Sequence, residues 1–117
     1  MKITTICDLL DADIHCGEAK LDKDVSTVFG CDLMSDVLAY ADNHSVLLTG
    51  LVNPQVIRTA VMMDMVCIIF VRSKTPSDEM LALAKESGIV VLSTDMTMYT
   101  ACGKLYSNGL VNDTIIR

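Results

Sequence analysis

The chain has 117 residues, 51% of them hydrophobic and 21% charged, and its 15 acids against nine bases leave a formal net charge of −6. That is enough apolar surface for one domain with its own core, and the acidic balance, with no basic concentration, argues against nucleic acid or an anionic membrane surface as a partner. The longest apolar stretch, near Val61 to Val71, is interrupted by Asp64 and too short to span a bilayer, and no charged-then-apolar leader opens the chain, so the sequence reads as a soluble cytoplasmic protein.

In chain order, Lys2 to Asp11 sets Ile3, Ile6, Cys7, Leu9 and Leu10 near one helical face, and Ile14-His15-Cys16 follows as a brief extended piece. Leu21 to Asp24 is turn-like, and Val25 to Phe29 is the first full strand, broken by Gly30. Asp32 can cap the next helix, whose apolar Leu33, Met34, Val37, Leu38 and Ala41 follow three-and-four spacing until Asp42-Asn43-His44 ends it. A strand from Ser45 to Thr49 leads to Asn53 and Pro54, a cap and a first-turn proline. They open a helix to about Asp64 that turns Val56, Ile57, Ala60, Val61 and Met63 to the sheet.

The strand around Cys67 to Val71 is followed by a second helix-start signal, in which Thr75 caps and Asp78 reaches back, with Asp78 and Glu79 at the positive helix end. That helix runs to Ser87 with Met80, Leu81, Leu83 and Ala84 inward, and Gly88 supplies the left-handed residue before the strand from Ile89 to Ser93. A last helix spans about Met96 to Ser107. Val111 to Arg117 is either a frayed end or an added strand, with Ile115 and Ile116 packing on something such as a second subunit.

Strand-helix-strand links of this length are right-handed and parallel. The expected fold is therefore a single α/β domain over residues 1–117, a three-layer sandwich with a mainly parallel sheet of four to five strands flanked by helices. Parallel strands all end on one edge, where open α/β sheets bind ligands. Thr49-Gly50-Leu51-Val52-Asn53, Arg72-Ser73-Lys74-Thr75 and Ser93-Thr94-Asp95 converge there, joined by the Gly30 to Asp36 junction.

The candidate ligand-binding residues are Asp32, Ser35, Thr49, Gly50, Asn53, Arg72, Ser73 and Thr94. Gly50 lets a ligand approach the backbone, and the amides after Asn53 form a partial positive end suited to phosphate or carboxylate. Asp32, Ser35, Ser73 and Thr94 offer hydrogen bonds, and Arg72 or Lys74 offsets negative charge. Each also has a purely structural reading: strand-to-helix turn chemistry at Gly50 and Asn53, and helix capping at Asp32, which is the simpler role for that residue.

No catalytic signature is present. Neither a P-loop nor a G-x-G-x-x-G occurs. His15 and His44 lie far apart and give no serine or cysteine relay, and the strand ends offer Thr49, Arg72 and Ser93 where a phosphoacceptor receiver domain needs aspartate. Cys7, Cys16, Cys31, Cys67 and Cys102 are odd in number with no C-x-x-C pair and no zinc or iron-sulfur spacing. They read as free thiols of a reducing compartment, and no metal or cofactor is expected. Met62, Met63, Met65, Met96 and Met98 fit core filling or an adaptable partner surface.

Taken in order, Val25 to Val37 with its Gly30-Cys31-Asp32-Leu33-Met34-Ser35 centre, Leu48 to Asn53, Pro76-Ser77-Asp78-Glu79 and Val91-Leu92-Ser93-Thr94 resemble the DRTGG domain family over about Lys2 to Leu110. The five-residue string that names the family is absent, and Gly50 to Asn53 is the corresponding turn. The resemblance implies an α/β domain without established catalysis, found alone or attached to phosphotransacetylases and to CBS domains in certain pyrophosphatases, and similar to the amino-terminal domain of HPr kinases. It implies a regulatory or ligand-sensing role, often with self-association. The resulting expectation is a non-catalytic, homodimeric regulatory domain that binds a small anionic metabolite such as a nucleotide. A ligand-free module docking on an enzyme or on its own copy is the alternative, and a cysteine enzyme using Cys31 near a helix start is the least favoured option.

Overall fold

The structure, a computed structural model, describes residues 1–112. Its elements run α1 (Ile3–Leu10), β1 (Asp13–Cys16), a 3-10 turn (Glu18–Lys20), β2 (Val28–Gly30), α2 (Met34–Tyr40), β3 (Val46–Thr49), α3 (Pro54–Met62), β4 (Cys67–Phe70), α4 (Asp78–Ser87), β5 (Val90–Ser93) and α5 (Met98–Ser107). The sheet order is β1-β5-β4-β3-β2. β2, β3, β4 and β5 are parallel neighbours, and β1 adds antiparallel to β5 with a bulge between Ile14 and Cys16. The Ile115 and Ile116 expectation lies outside the described residues.

Side chains alternate across the sheet as the pleat requires. Leu47, Ile68, Phe70 and Val91 pack with Met34, Val37, Val56, Ile57, Ala60, Met80 and Ala84, so α2, α3 and α4 cover one face. Val46, Leu48, Cys67, Ile69, Val90 and Leu92 pack on the other face with Ile3, Ile6 and Leu10 of α1 and Ala101 and Leu105 of α5. Every residue of β3 and β4 is buried, which is why those strands read as unbroken apolar runs.

Several local expectations are corrected. β2 holds three residues rather than a full strand from Val25, because the Val25 amide and carbonyl bond Met1 instead of β3. Asp32 does not cap α2: the helix begins at Met34 behind Leu33 with no side-chain cap. α4 is capped by Ser77, whose Oγ accepts from the Met80 amide at 3.3 Å, and not by Thr75. α5 starts at Met98, with Thr97 accepting from Thr100. Leu33 (58% exposed), Leu38 and Val61 face outward, whereas Met34, Val37, Val56, Ile57 and Ala60 are buried. The start of α3 is as read, with Asn53 Oδ1 accepting from the Gln55 amide at 2.8 Å ahead of Pro54, and Gly88 ends α4 at φ 71°.

Candidate functional site

α4, after β4, returns over one face of the sheet, and α5, after β5, over the other. Their diverging loops leave the carboxyl ends of β4 and β5 as the switch point where such sheets open a crevice. Hydrogen bonds close it. The Arg72 amide donates to the Met96 carbonyl at 2.8 Å, the Ser73 amide to the Thr94 carbonyl at 3.0 Å, and Ser73 Oγ to Asp95 Oδ1 at 2.8 Å. To make these bonds Arg72 and Ser73 both take left-handed backbone, each at φ 59°. Two consecutive non-glycine residues in that region are costly and concentrate at functional sites.

The turn aims the Arg72 side chain across β4 to the end of β3. There the guanidinium lies against Gly50: a Cβ at that position would overlap Nη2, Cζ and Nη1, so the absence of a side chain makes room for the cation. The Asp32 carboxylate comes in from the β2 side. Its Oδ1 accepts from the Gly50 amide at 2.7 Å and from Thr49 Oγ1 at 3.0 Å, and its Oδ2 lies 3.7 Å from Arg72 Nη1. Thr49 is fully buried and its hydroxyl also accepts from the Leu51 amide at 3.1 Å, which fixes its direction. One backbone amide, one oriented hydroxyl and one guanidinium thus meet on one carboxylate, the first two on Oδ1 and the third near Oδ2.

Of the eight candidate residues, Asp32, Thr49, Gly50 and Arg72 form this cluster. Asn53 makes none of these contacts, and its Oδ1 is committed to α3. Ser73 is exposed but holds the β4–β5 loops together. Ser35 is exposed in the first turn of α2 and takes no part in the cluster. Thr94 is buried, 3% exposed, and its hydroxyl donates to the Leu10 carbonyl at 2.7 Å, tying the end of α1 to β5.

Another contact at this edge joins residues 78 apart. His15 Nε2 and Ser93 Oγ are 2.7 Å apart, with the donor set by the imidazole tautomer. Ser93 is 5% exposed, so the pair closes the β1–β5 seam rather than presenting a nucleophile. Nothing in the sequence spacing could pair them, since β1 reaches β5 only through its antiparallel placement.

Cys7, Cys16, Cys67 and Cys102 sit in surroundings unsuited to nucleophilic work. Burial pushes Cys7, Cys16 and Cys102 above the ordinary thiol range, with Asp8 adding to the effect at Cys7. Fully buried Cys67 is pushed up furthest. All five are free, and the Cys31 sulfur accepts from the Leu33 amide at 3.4 Å. Among the described residues no group of three or more His, Cys, Asp or Glu is placed to hold a metal ion, and no helix is long and apolar enough to cross a membrane.

A cleft of about 250 Å³ opens at the opposite edge, near Lys20, Lys23, His44, Asp64, Ser87 and Gly88. The carboxyl ends of α3 and α4 point there, and Lys20 Nζ already donates to the Gly88 carbonyl at 2.7 Å. Lys20 thus answers a carbonyl at a helix end, and the partial negative charge of such ends opposes an anionic ligand. The carboxyl-edge cluster, with an amide, a hydroxyl and a guanidinium on one carboxylate, is the better-built oxyanion position.

The fold and this edge define a three-layer α/β domain with a polar cluster at the ends of its parallel strands. The DRTGG domain model matches residues 5–107, and the chain belongs to the DRTGG domain family. Among solved structures, the CBS and DRTGG domains of the regulatory region of a Clostridium perfringens pyrophosphatase, complexed with the activator diadenosine tetraphosphate, match with a TM-score of 0.72 at 18% identity. The match covers 98% of this chain and 52% of that one, so the chain spans about half the length of this relative, and the likeness is one of fold. No curated protein matches the chain.

Proposed function

We propose that this chain is a non-catalytic regulatory domain that binds a small anionic metabolite, a nucleotide or another phosphorylated compound, at the carboxyl edge of its sheet. The observation that carries this is the convergence of the Gly50 amide, the Thr49 hydroxyl and the Arg72 guanidinium on a position that already accepts a carboxylate. Backbone amides and arginine are the groups that recognise phosphate, and the close approach at Gly50 brings them together. That a regulatory region sharing this fold was solved with a dinucleoside polyphosphate activator supports the nucleotide class. That the similar DRTGG domain lies beside CBS domains in the regulatory region of a pyrophosphatase supports a regulated enzyme as partner, and the five free thiols support a reducing, cytoplasmic setting.

The test is a thermal-shift screen with ATP, ADP, AMP, diadenosine tetraphosphate, acetyl phosphate and inorganic phosphate. A ligand at a hundred times its Kd stabilises the folded state by about 2.7 kcal/mol, which raises Tm by about 10 °C for a chain this long. A saturable shift that disappears in folded Arg72→Ala supports the site. No shift with any compound refutes it.

A second reading, a docking module that works through a second copy or an enzyme, rests on one exposed face of α5. Tyr99 is 90% and Tyr106 58% exposed, and with Met98, Cys102 and Gly103 they line a shallow groove. Sedimentation velocity of the native chain and of Tyr99→Ser/Tyr106→Ser separates the two: self-association lost in the double variant, with no ligand-induced shift, favours docking.

A further inference from the structure

Asp32 makes the contacts that an arriving oxyanion would make. Its carboxylate takes the Gly50 amide at 2.7 Å, the Thr49 hydroxyl at 3.0 Å and the field of Arg72 at 3.7 Å, which are the three groups of the proposed site. We infer that Asp32 is a resident anion that fills the oxyanion position of the unliganded domain, must be displaced by the ligand, and restricts the site to phosphate-bearing compounds over carboxylates. This rests on the carboxyl-edge reading above and adds to it the residue that sets affinity and specificity.

Three features support competition over a permanent structural bond. The Asp32 side chain is 48% exposed and the Arg72 side chain 45%, so the pair is screened by water and held weakly. Asp32 also sits on the short link from β2 to α2 and serves no cap there, so swinging it outward breaks no helix contact. The fit to Arg72 is incomplete as well: 3.7 Å is well beyond the roughly 2.7–2.9 Å of a charge-assisted hydrogen bond, which leaves the guanidinium donors available to a better acceptor.

The ligand class follows from the same geometry. Asp32 is tethered, so it competes at the high effective concentration of an intramolecular group, in the millimolar range or above. A free carboxylate offers the same two oxygens and the same single charge without the tether, and it loses. A phosphate carries a third oxygen and up to two charges, enough to accept from Gly50, Thr49 and Arg72 together.

The experiment measures the Kd of ATP and of acetate by titration calorimetry on the full chain and its Asp32→Asn, Asp32→Ala and Asp32→Ala/Arg72→Gln variants. Glu86→Gln, on exposed α4 near the opposite edge, makes the same change in net charge and serves as the control. Removing a charged competing acceptor should tighten ATP binding on the order of tenfold, more in Asp32→Ala than in Asp32→Asn, whose amide oxygen still accepts from Gly50. Acetate binding should appear only in the Asp32 variants, Arg72→Gln should cancel the gain, and Glu86→Gln should leave the Kd unchanged. Asp32→Asn is close to isosteric and decides the matter if Asp32→Ala does not fold.

Wild-type binding of ATP with equal or weaker binding in Asp32→Asn overturns the inference and leaves the carboxyl-edge reading standing. So does a gain that survives Arg72→Gln or is matched by Glu86→Gln. If neither the wild type nor the Asp32 variants bind ATP, both fall.

Discussion

Thr94→Val separates a structural hydroxyl from a ligand-binding one. Thr94 Oγ1 is the partner of the Leu10 carbonyl, at 2.7 Å and away from water, and also accepts from the Met96 amide at a looser 3.3 Å. Valine keeps the shape and strands both groups. A buried acceptor left unpaired costs about 1–3 kcal/mol, and the weaker bond adds little, so about 2 kcal/mol is expected. At about 2.1 cal/mol/K per residue, unfolding the 117-residue chain carries an entropy that converts this into a Tm fall of about 8 °C by circular dichroism, with Thr94→Ser retaining most of the stability. Ligand affinity should not change in folded Thr94→Val. A Tm fall under about 2 °C refutes the structural assignment, and lost binding at unchanged Tm returns Thr94 to the site, where strand-end position alone had put it.

Other perturbations test other parts of the structure. Ile69→Asp puts a charge among wholly buried residues at the centre of the sheet and should abolish cooperative unfolding; a folded variant with near-native Tm would mean that β4 is not central. Asn53→Leu removes the α3 cap for about 1 kcal/mol, a Tm loss of about 4 °C, and should weaken ligand binding by more than that, so unchanged affinity in the folded variant takes Asn53 out of the site. In the native protein, disulfide-exchange labelling at pH 8 should leave Cys67 untouched until denaturant is added; labelling in step with Cys31 would contradict its burial. The folded chain holds the Cys67 proton while the unfolded chain releases it near the ordinary value of 9.0. This thiol's contribution to stability is therefore intact below pH 9.0 and lost as the pH rises further, and Cys67→Ala should show a smaller drop in Tm between pH 9.0 and more alkaline buffer.

The layers were legible because burial on both faces leaves a simple mark. Val46-Leu47-Leu48 and Cys67 to Phe70 could sit nowhere but between two layers of helix, and Asn53-Pro54 and Gly88 are turn signals whose backbone chemistry allows few alternatives. Boundaries failed where two residues could do one job. Thr75 and Ser77 are both able caps, and the Asp78 start selects Ser77. Val25 has the composition of a strand residue, but the amino terminus, distant in sequence, takes its hydrogen bonds.

The edge where the polar groups gather follows from parallel strands alone, but the division of labour along it does not. Whether a strand-end hydroxyl points to solvent or into a seam depends on which element packs opposite, and Leu10 decides this for Thr94 as Asp95 does for Ser73. The left-handed backbone at Arg72 and Ser73 has no mark in the sequence, since neither residue is glycine or asparagine. Yet that turn moves the cationic group off the switch point, stitched shut between β4 and β5, and onto Gly50 at the end of β3. Asp32 Oδ1 takes the Gly50 amide and the Thr49 hydroxyl, while α2 begins behind Leu33 without a side-chain cap. The missing cap and the filled oxyanion position both follow from where the Asp32 carboxylate finds its donors, at the end of β3 and not at the start of α2.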